Sequence, residues 1–202
     1  MERRELIKMI GLLTGGVVIG ADLFLGGCKN PASELRRKWS EDELALLNEI
    51  GETILPTTHS SPGAKAAKVG EFMNVFVNDC YEEYQVQAFN DGLTKINADC
   101  KAKTGKSFLK CDAHERQSFL VVLDKEAREF NQQNAQKPKT ASTQNKEVKQ
   151  LGNHYFTYMK QLTLLGYFTS KIGCTEALRY IPVPGHYDGN LPYAKGDKAW
   201  AT

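Results

Sequence analysis

The chain has 202 residues, 41% hydrophobic and 25% charged, and its 26 basic and 24 acidic side chains leave a net charge of +2. That is enough for one domain with a real hydrophobic core and a poor fit for two. The balanced charge, with no basic stretch interleaved with aromatics, argues against nucleic acid as a partner, and no acidic run suggests a cation-capturing tail.

Residues 1–27 read as a targeting segment. A charged start, Glu2-Arg3-Arg4-Glu5-Leu6-Ile7-Lys8, leads into an apolar, Gly-rich run ending in Leu25-Gly26-Gly27-Cys28. The Arg3-Arg4 pair resembles a twin-arginine export signal, the kind used by proteins that fold or bind a partner before crossing; Glu2 is a mild departure from the usual polar residue before the pair. Leu25-Gly26-Gly27-Cys28 resembles a bacterial lipobox, in which small side chains let the peptidase close on an extended backbone and the Cys28 thiol accepts the lipid. The competing reading is a retained membrane helix, for which about 20 apolar residues are needed. The run is just long enough, but Asp22 and six glycines between Gly11 and Gly27 weaken it. The expected organisation is a leader over 1–27, a lipidated tether over 28–39 and a helical domain over 40–202, periplasmic and held to a cell-envelope membrane by its lipid.

The domain's first helix starts at Ser40, where Ser40-x-x-Glu43 forms a capping box and Glu41 and Asp42 suit the positive end of the helix dipole. Leu44, Leu47, Gly51 and Ile54 share a face, flanked by Leu46 and Ile50, and Pro56 stops the helix. Thr57 to Lys68 is a loop punctuated by Ser-Ser-Pro-Gly. A second helix places Phe72, Val75 and Phe76 on its buried stripe and ends near Cys80. A third runs from about Glu82 to Lys103 with Phe89, Leu93, Ile96 and Cys100 in register. After the Gly105-Lys106 turn, Asp112-x-x-Glu115 opens a fourth helix carrying Phe119, Leu123, Ala127 and Phe130.

Residues 131–146 are polar, rich in Gln, Asn, Lys and Thr, and broken by Pro138, which predicts a flexible insertion. A fifth helix from about Glu147 turns Val148, Leu151, Tyr155, Met159 and Leu162 inward, and a shorter sixth covers roughly Ser170 to Arg179. With almost no period-two alternation, the fold class is all-α, a single domain of five to six helices. The tail, 181–202, combines prolines, glycines and aromatics and should run extended over a surface. Tyr180, Pro182, Pro184, Tyr187, Tyr193 and Trp200 supply contact area at small entropy cost and are the candidate partner interface.

No catalytic constellation emerges. The histidines, His59, His114, His154 and His186, are scattered without metal spacing; no G-x-G-x-x-G follows a strand; no C-x-x-C or C-x-x-C-H is present. No catalytic, cofactor-binding or metal-binding residue is assigned. If Cys28 carries lipid, four cysteines remain for an oxidising compartment. Cys100 and Cys111, near the ends of two helices joined by a short Gly-containing loop, are a candidate disulfide, and Cys80 and Cys174 read as small buried hydrophobes.

Three stretches together resemble subunit 3 of the gluconate 2-dehydrogenase family, the small subunit of membrane-bound flavin dehydrogenases for sugars and polyols. They are Ile54-Leu55-Pro56-Thr57-Thr58 with Ser61-Pro62-Gly63-Ala64-Lys65-Ala66-Ala67, then Phe72 through Tyr81, and Gly166-Tyr167-Phe168-Thr169-Ser170-Lys171-Ile172-Gly173 continuing through Tyr180–Gly185 to Gly196–Trp200. The resemblance implies a complex with a large FAD-dependent subunit that oxidises the sugar and a haem-bearing cytochrome c subunit that takes the electrons. In it the small subunit binds the large one and aids its maturation or export, with no cofactor of its own. The alternative is a stand-alone envelope lipoprotein that binds carbohydrate or acts as a scaffold.

Overall fold

A computed structural model describes residues 35–136, 152–183, 185–186 and 188–201. Arg3, Arg4 and Cys28 therefore lie outside the described residues, as do residues 137–151, Pro184 and Tyr187. Among the described residues there are five α-helices: α1 Glu41–Ile54, α2 Val69–Cys80, α3 Glu83–Thr104, α4 Ala113–Gln136 and α5 Tyr155–Phe168. A 3₁₀ turn, Phe108–Lys110, lies between α3 and α4, and a π turn, Gly173–Ala177, follows α5. No described residue belongs to a strand, so the class is all-α as the sequence predicts.

Local signals set most of the helix ends. Ser40 Oγ accepts from the Glu43 N–H while the Glu43 carboxylate accepts from the Ser40 N–H at 2.8 Å, a closed capping box. The Arg37 guanidinium forks onto the same carboxylate at 2.6 and 2.9 Å, and these bonds hold the acid down at about 2. Asp112 and Glu115 cap α4 reciprocally. At the far end of α3, Gly105 takes the left-handed conformation, φ 78°, that a side chain would resist.

The core is organised around α5, which packs against all four other helices. It can do so because it is apolar on nearly every side: Tyr155, Phe156, Tyr158, Met159, Leu162, Thr163, Gly166 and Tyr167 are all buried. Thr163 is accommodated there by donating its hydroxyl to the Met159 carbonyl at 2.8 Å. Close approach depends on glycine at the crossing with α3, where a Cβ on Gly92 would stand 2.2 Å from Tyr155 Cγ.

Several expectations are corrected. The domain begins earlier than Ser40, because Trp39 is only 3% exposed and stacks on Phe89 at 5.1 Å, its indole N–H donating to Asn90. The buried stripe of α2 is Val69, Gly70, Met73 and Val77, with Val75 exposed and Phe72 and Phe76 on the flank. The fourth helix continues to Gln136, beyond the expected start of the insertion. Its asparagines are used: Asn131 accepts from the His154 N–H and donates to Thr157, and Asn134 donates to the Gly152 carbonyl. The fifth helix starts at Tyr155, with residues 152–154 non-helical, since His154 is its N-cap and accepts the Phe156 N–H on Nδ1 at 3.3 Å. Phe130 is exposed at the α4 face, edge-on to His154.

Candidate partner-binding surface

The C-terminal end of α5 gathers the segments that the sequence singled out. Tyr167 is buried and its hydroxyl donates to the Pro62 carbonyl at 2.5 Å, fixing the Ser61-Pro62-Gly63 loop to α5. Gly166 lies under the Phe72 ring so closely that a Cβ would stand 2.6 Å from it. All three family-like stretches thus meet here.

The loop itself is built around Glu52 of α1. Its carboxylate accepts from the Thr57 N–H and hydroxyl and from the Lys65 N–H at 2.7–3.0 Å, and a Cβ on Gly63 would collide with it. Burial alone would raise this acid, but those bonds outweigh it and hold the carboxyl below its ordinary range. From Phe72 an aromatic row runs through Phe76 and Tyr81 to Tyr158, with ring centroids 5.4–5.7 Å apart. Burial pushes the Tyr81 hydroxyl up to about 12.

Beyond Tyr167 the chain turns sharply. Ser170 Oγ donates to the Tyr167 carbonyl and accepts from the Gly173 N–H, opening the expected shorter sixth helix, which is π-wound over Gly173–Ala177 and stops before Arg179. A Cβ at Gly173 would overlap the Tyr167 carbonyl oxygen, so only glycine lets the turn lie this close. Phe168, T-shaped against Tyr167, remains partly open to solvent.

The tail leaves the π turn and comes back to it. Arg179 donates its N–H to the Ala199 carbonyl and accepts from the Ala201 N–H, both at 2.8 Å, in an isolated parallel bridge with Trp200. The Arg179 guanidinium lies 4.4 Å above the Trp200 ring, and the Lys198 ammonium donates to the Glu176 carbonyl. The described residues between Arg179 and Trp200 therefore belong to a loop stapled at its base. Asp188 and Asp197 accept from the Asn190 and Ala194 N–H groups at 2.9 Å, capping turns within it. Gly185 and Gly196 take positive φ there.

Of the candidate interface residues, Tyr180, Pro182 and Tyr193 are exposed on this loop, Tyr193 at 77%. Trp200 sits at its base, and Pro184 and Tyr187 lie outside the described residues. Ile181, Val183 and Leu191 are also exposed, Val183 at 79%, and were not singled out from sequence. The Arg179–Trp200 staple was equally illegible, because no local pattern pairs an arginine with a tryptophan 21 positions on.

The remaining residues are dispersed. His59, His114 and His186 are exposed, and among the described residues no three His, Cys, Asp or Glu side chains group as a metal site. Cys80 is exposed and Cys174 half-buried, its thiol donating to the Phe168 carbonyl, so neither is the core residue expected. Cys100 and Cys111 are both buried and adjacent, Sγ to Sγ 3.6 Å.

The family model for gluconate 2-dehydrogenase subunit 3 matches residues 41–185. The chain belongs to that family. The match runs from the first residue of α1 past Arg179 into the stapled loop, and it takes in Pro62, Phe72, Gly166 and Tyr167. Residues 186–202, with Trp200, and residues 1–40, with Arg3 and Arg4, fall outside it. No curated protein and no solved structure matches the chain. Subunit 3 is by its name one component of a multi-subunit dehydrogenase, which makes this protein an accessory chain of such a complex.

Proposed function

We propose that this subunit 3 protein is a non-catalytic partner of a large FAD-dependent dehydrogenase acting on gluconate or a related sugar or polyol. It binds the flavoprotein through its stapled C-terminal loop. The Arg3-Arg4 leader carries the folded pair to the periplasm, where lipid on Cys28 holds the complex at the membrane. Electrons leave the flavoprotein through a haem c subunit, and this chain takes no part in the chemistry.

The observation that carries the reading is the stapled loop between Arg179 and Trp200. Its base is held by a backbone bridge and a cation–π stack, yet Ile181, Val183, Leu191 and Tyr193 project into water. A loop that keeps apolar side chains uncovered while its base is pinned has the features of an interface core before assembly. Pre-positioning the backbone lowers the ordering cost of association.

The test is affinity capture of the full chain from mildly solubilised membranes, beside a variant ending at Arg179. The full chain should recover a flavin-containing polypeptide. The shortened chain should keep its helical circular dichroism and recover none. Recovery of the flavoprotein by the shortened chain would move the interface elsewhere. Heat of binding to free sugars would favour the carbohydrate-binding alternative, and sugar oxidation by the purified chain without flavin would end the non-catalytic reading.

A further inference from the structure

The corner between α3 and α4 holds a pair of thiols with no part in the surface just described. Cys100, in the last turn of α3, is fully buried, and Cys111, after the 3₁₀ turn, is 4% exposed. Their sulfurs are 3.6 Å apart, and the Thr104 hydroxyl lies 3.7 Å from the first and 3.4 Å from the second. Two cysteines serving only as core filler have no reason to aim at each other. A disulfide needs about 2.0 Å between sulfurs, so each must shift by less than about 1 Å.

The segment between them is held from both sides already. Thr104 donates to the Cys100 carbonyl at 2.8 Å and accepts from the Lys106 N–H; Gly105 makes the left-handed turn. Asn97 accepts the Phe108 N–H, Phe108 is fully buried edge-on to Phe119, and Arg116 donates to the Phe108 and Leu109 carbonyls. Arg116 also pairs with Glu49 of α1, which a second cation, Lys65, meets at 2.7 Å. A bond between the sulfurs would close a short ring over the turn that ties α3, α4 and α1 together, without rearranging them.

We infer that Cys100 and Cys111 are an oxidation site, converted after export into an intrachain disulfide that locks the α3–α4 corner. The inference rests on the proposed export for the place where oxidation occurs, and on the geometry alone for the pairing. The oxidant is a disulfide, carried by a protein or a small molecule. Cys111, which follows exposed Lys110, reacts first: its thiolate attacks the oxidant's disulfide and releases one thiol. The Cys100 thiolate then attacks Cys111 Sγ and expels the second thiol, so two electrons and two protons pass to the oxidant. Burial raises the Cys100 thiol above its ordinary value, which keeps it protonated until its partner is engaged.

The experiment uses the full chain in its own cells, with thiols trapped by acid and alkylation before lysis, then fractionation and tryptic mapping. Chain from the envelope fraction should yield peptides Ile96–Lys101 and Cys111–Arg116 joined by a reducible bond, with Cys80 and Cys174 alkylated. Reducing the purified protein with a phosphine should lower its Tm by about 5–10 °C. Envelope protein with all four thiols alkylated, or with the bond made to Cys80 or Cys174, would overturn the pairing. Should the chain stay in the cytoplasm, the export reading fails and the pairing is decided by oxidised glutathione on the purified chain. The same linked peptides and a higher Tm uphold it; free thiols or a mixture of pairings refute it.

Discussion

Replacing Trp39 by Ala tests whether the domain starts before its first helix. The side chain is 3% exposed, lies parallel to Phe89 at 7° between planes, and donates its indole N–H to Asn90 at 3.0 Å. Truncating a buried aromatic to Ala costs about 3–5 kcal/mol through lost transfer energy and the cavity left behind. The stacked pair adds about 0.5–1.5 kcal/mol and the hydrogen bond about 1 kcal/mol, partly contained in the first figure. A loss of about 4 kcal/mol is expected, which for a chain of this size is a fall in Tm of about 8–16 °C. Urea unfolding followed by circular dichroism gives the free energy, and an unchanged denaturant slope shows that the same transition is being read. Trp39→Phe keeps the stack and should lose about 1–2 kcal/mol. Trp200→Ala is the internal control: this indole is 41% exposed against Arg179, and its loss should stay within about 1 kcal/mol of global stability. A Trp39→Ala loss no larger than that of Trp200→Ala would return residue 39 to the tether and refute the packing argument.

Tyr155 offers a change in the opposite direction. Among the described residues its buried hydroxyl has no hydrogen-bond partner, and burial drives its titration far upward. Tyr155→Phe removes an unsatisfied polar group at constant shape, so stability should be unchanged or rise by about 1 kcal/mol in urea unfolding; a loss above about 1 kcal/mol would mean the hydroxyl is bonded. His154 carries a pH dependence. Burial, reinforced by Lys95, lowers its titration below the ordinary 6.5, and only the neutral ring can accept the Phe156 N–H. Because the folded value lies below the unfolded one, the contribution is complete above pH 6.5 and is lost as pH falls from there through the folded value. His154→Asn keeps an acceptor at every pH, so its Tm should lose that slope; parallel Tm profiles for the two proteins would refute the cap's role.

The parts that sequence made legible are those where one physical signal acts alone. The α3 register of Phe89, Leu93, Ile96 and Cys100 is buried as its spacing demands, and the boxes at Ser40 and Asp112 form as written. The α2 stripe is set by a glycine. A Cβ on Gly70 would stand 2.7 Å from the Leu44 carbonyl oxygen, so close approach to α1 selects the face with Gly70, Met73 and Val77 over the more aromatic one. The start of α5 is hidden for a different reason: a helix apolar on nearly every side has no clear stripe to mark its ends, and the His154 cap marks the boundary. Trp39 did leave a signal, since an apolar residue just before an N-cap commonly packs back on its helix or a neighbour.

Convergence of the three family-like stretches explains why the candidate surface was partly visible in sequence and its geometry was not. Each stretch contributes a shape constraint in place of a reactive group: Gly63 makes room for the Glu52 carboxylate, Gly166 for Phe72, Gly173 for the Tyr167 carbonyl, and Tyr167 spends its hydroxyl on Pro62. Such residues are recognisable as a pattern because few substitutes fit, yet nothing in their chemistry tells which of them touch. Together they set the end of α5 and the π turn, and the π turn aims Arg179 at Trp200. The order of dependence runs from glycine contacts to turn, from turn to staple, and from staple to the exposed Val183 and Tyr193. A surface meant to meet one partner needs that order, because a loop anchored on an unyielding core presents the same face at every encounter.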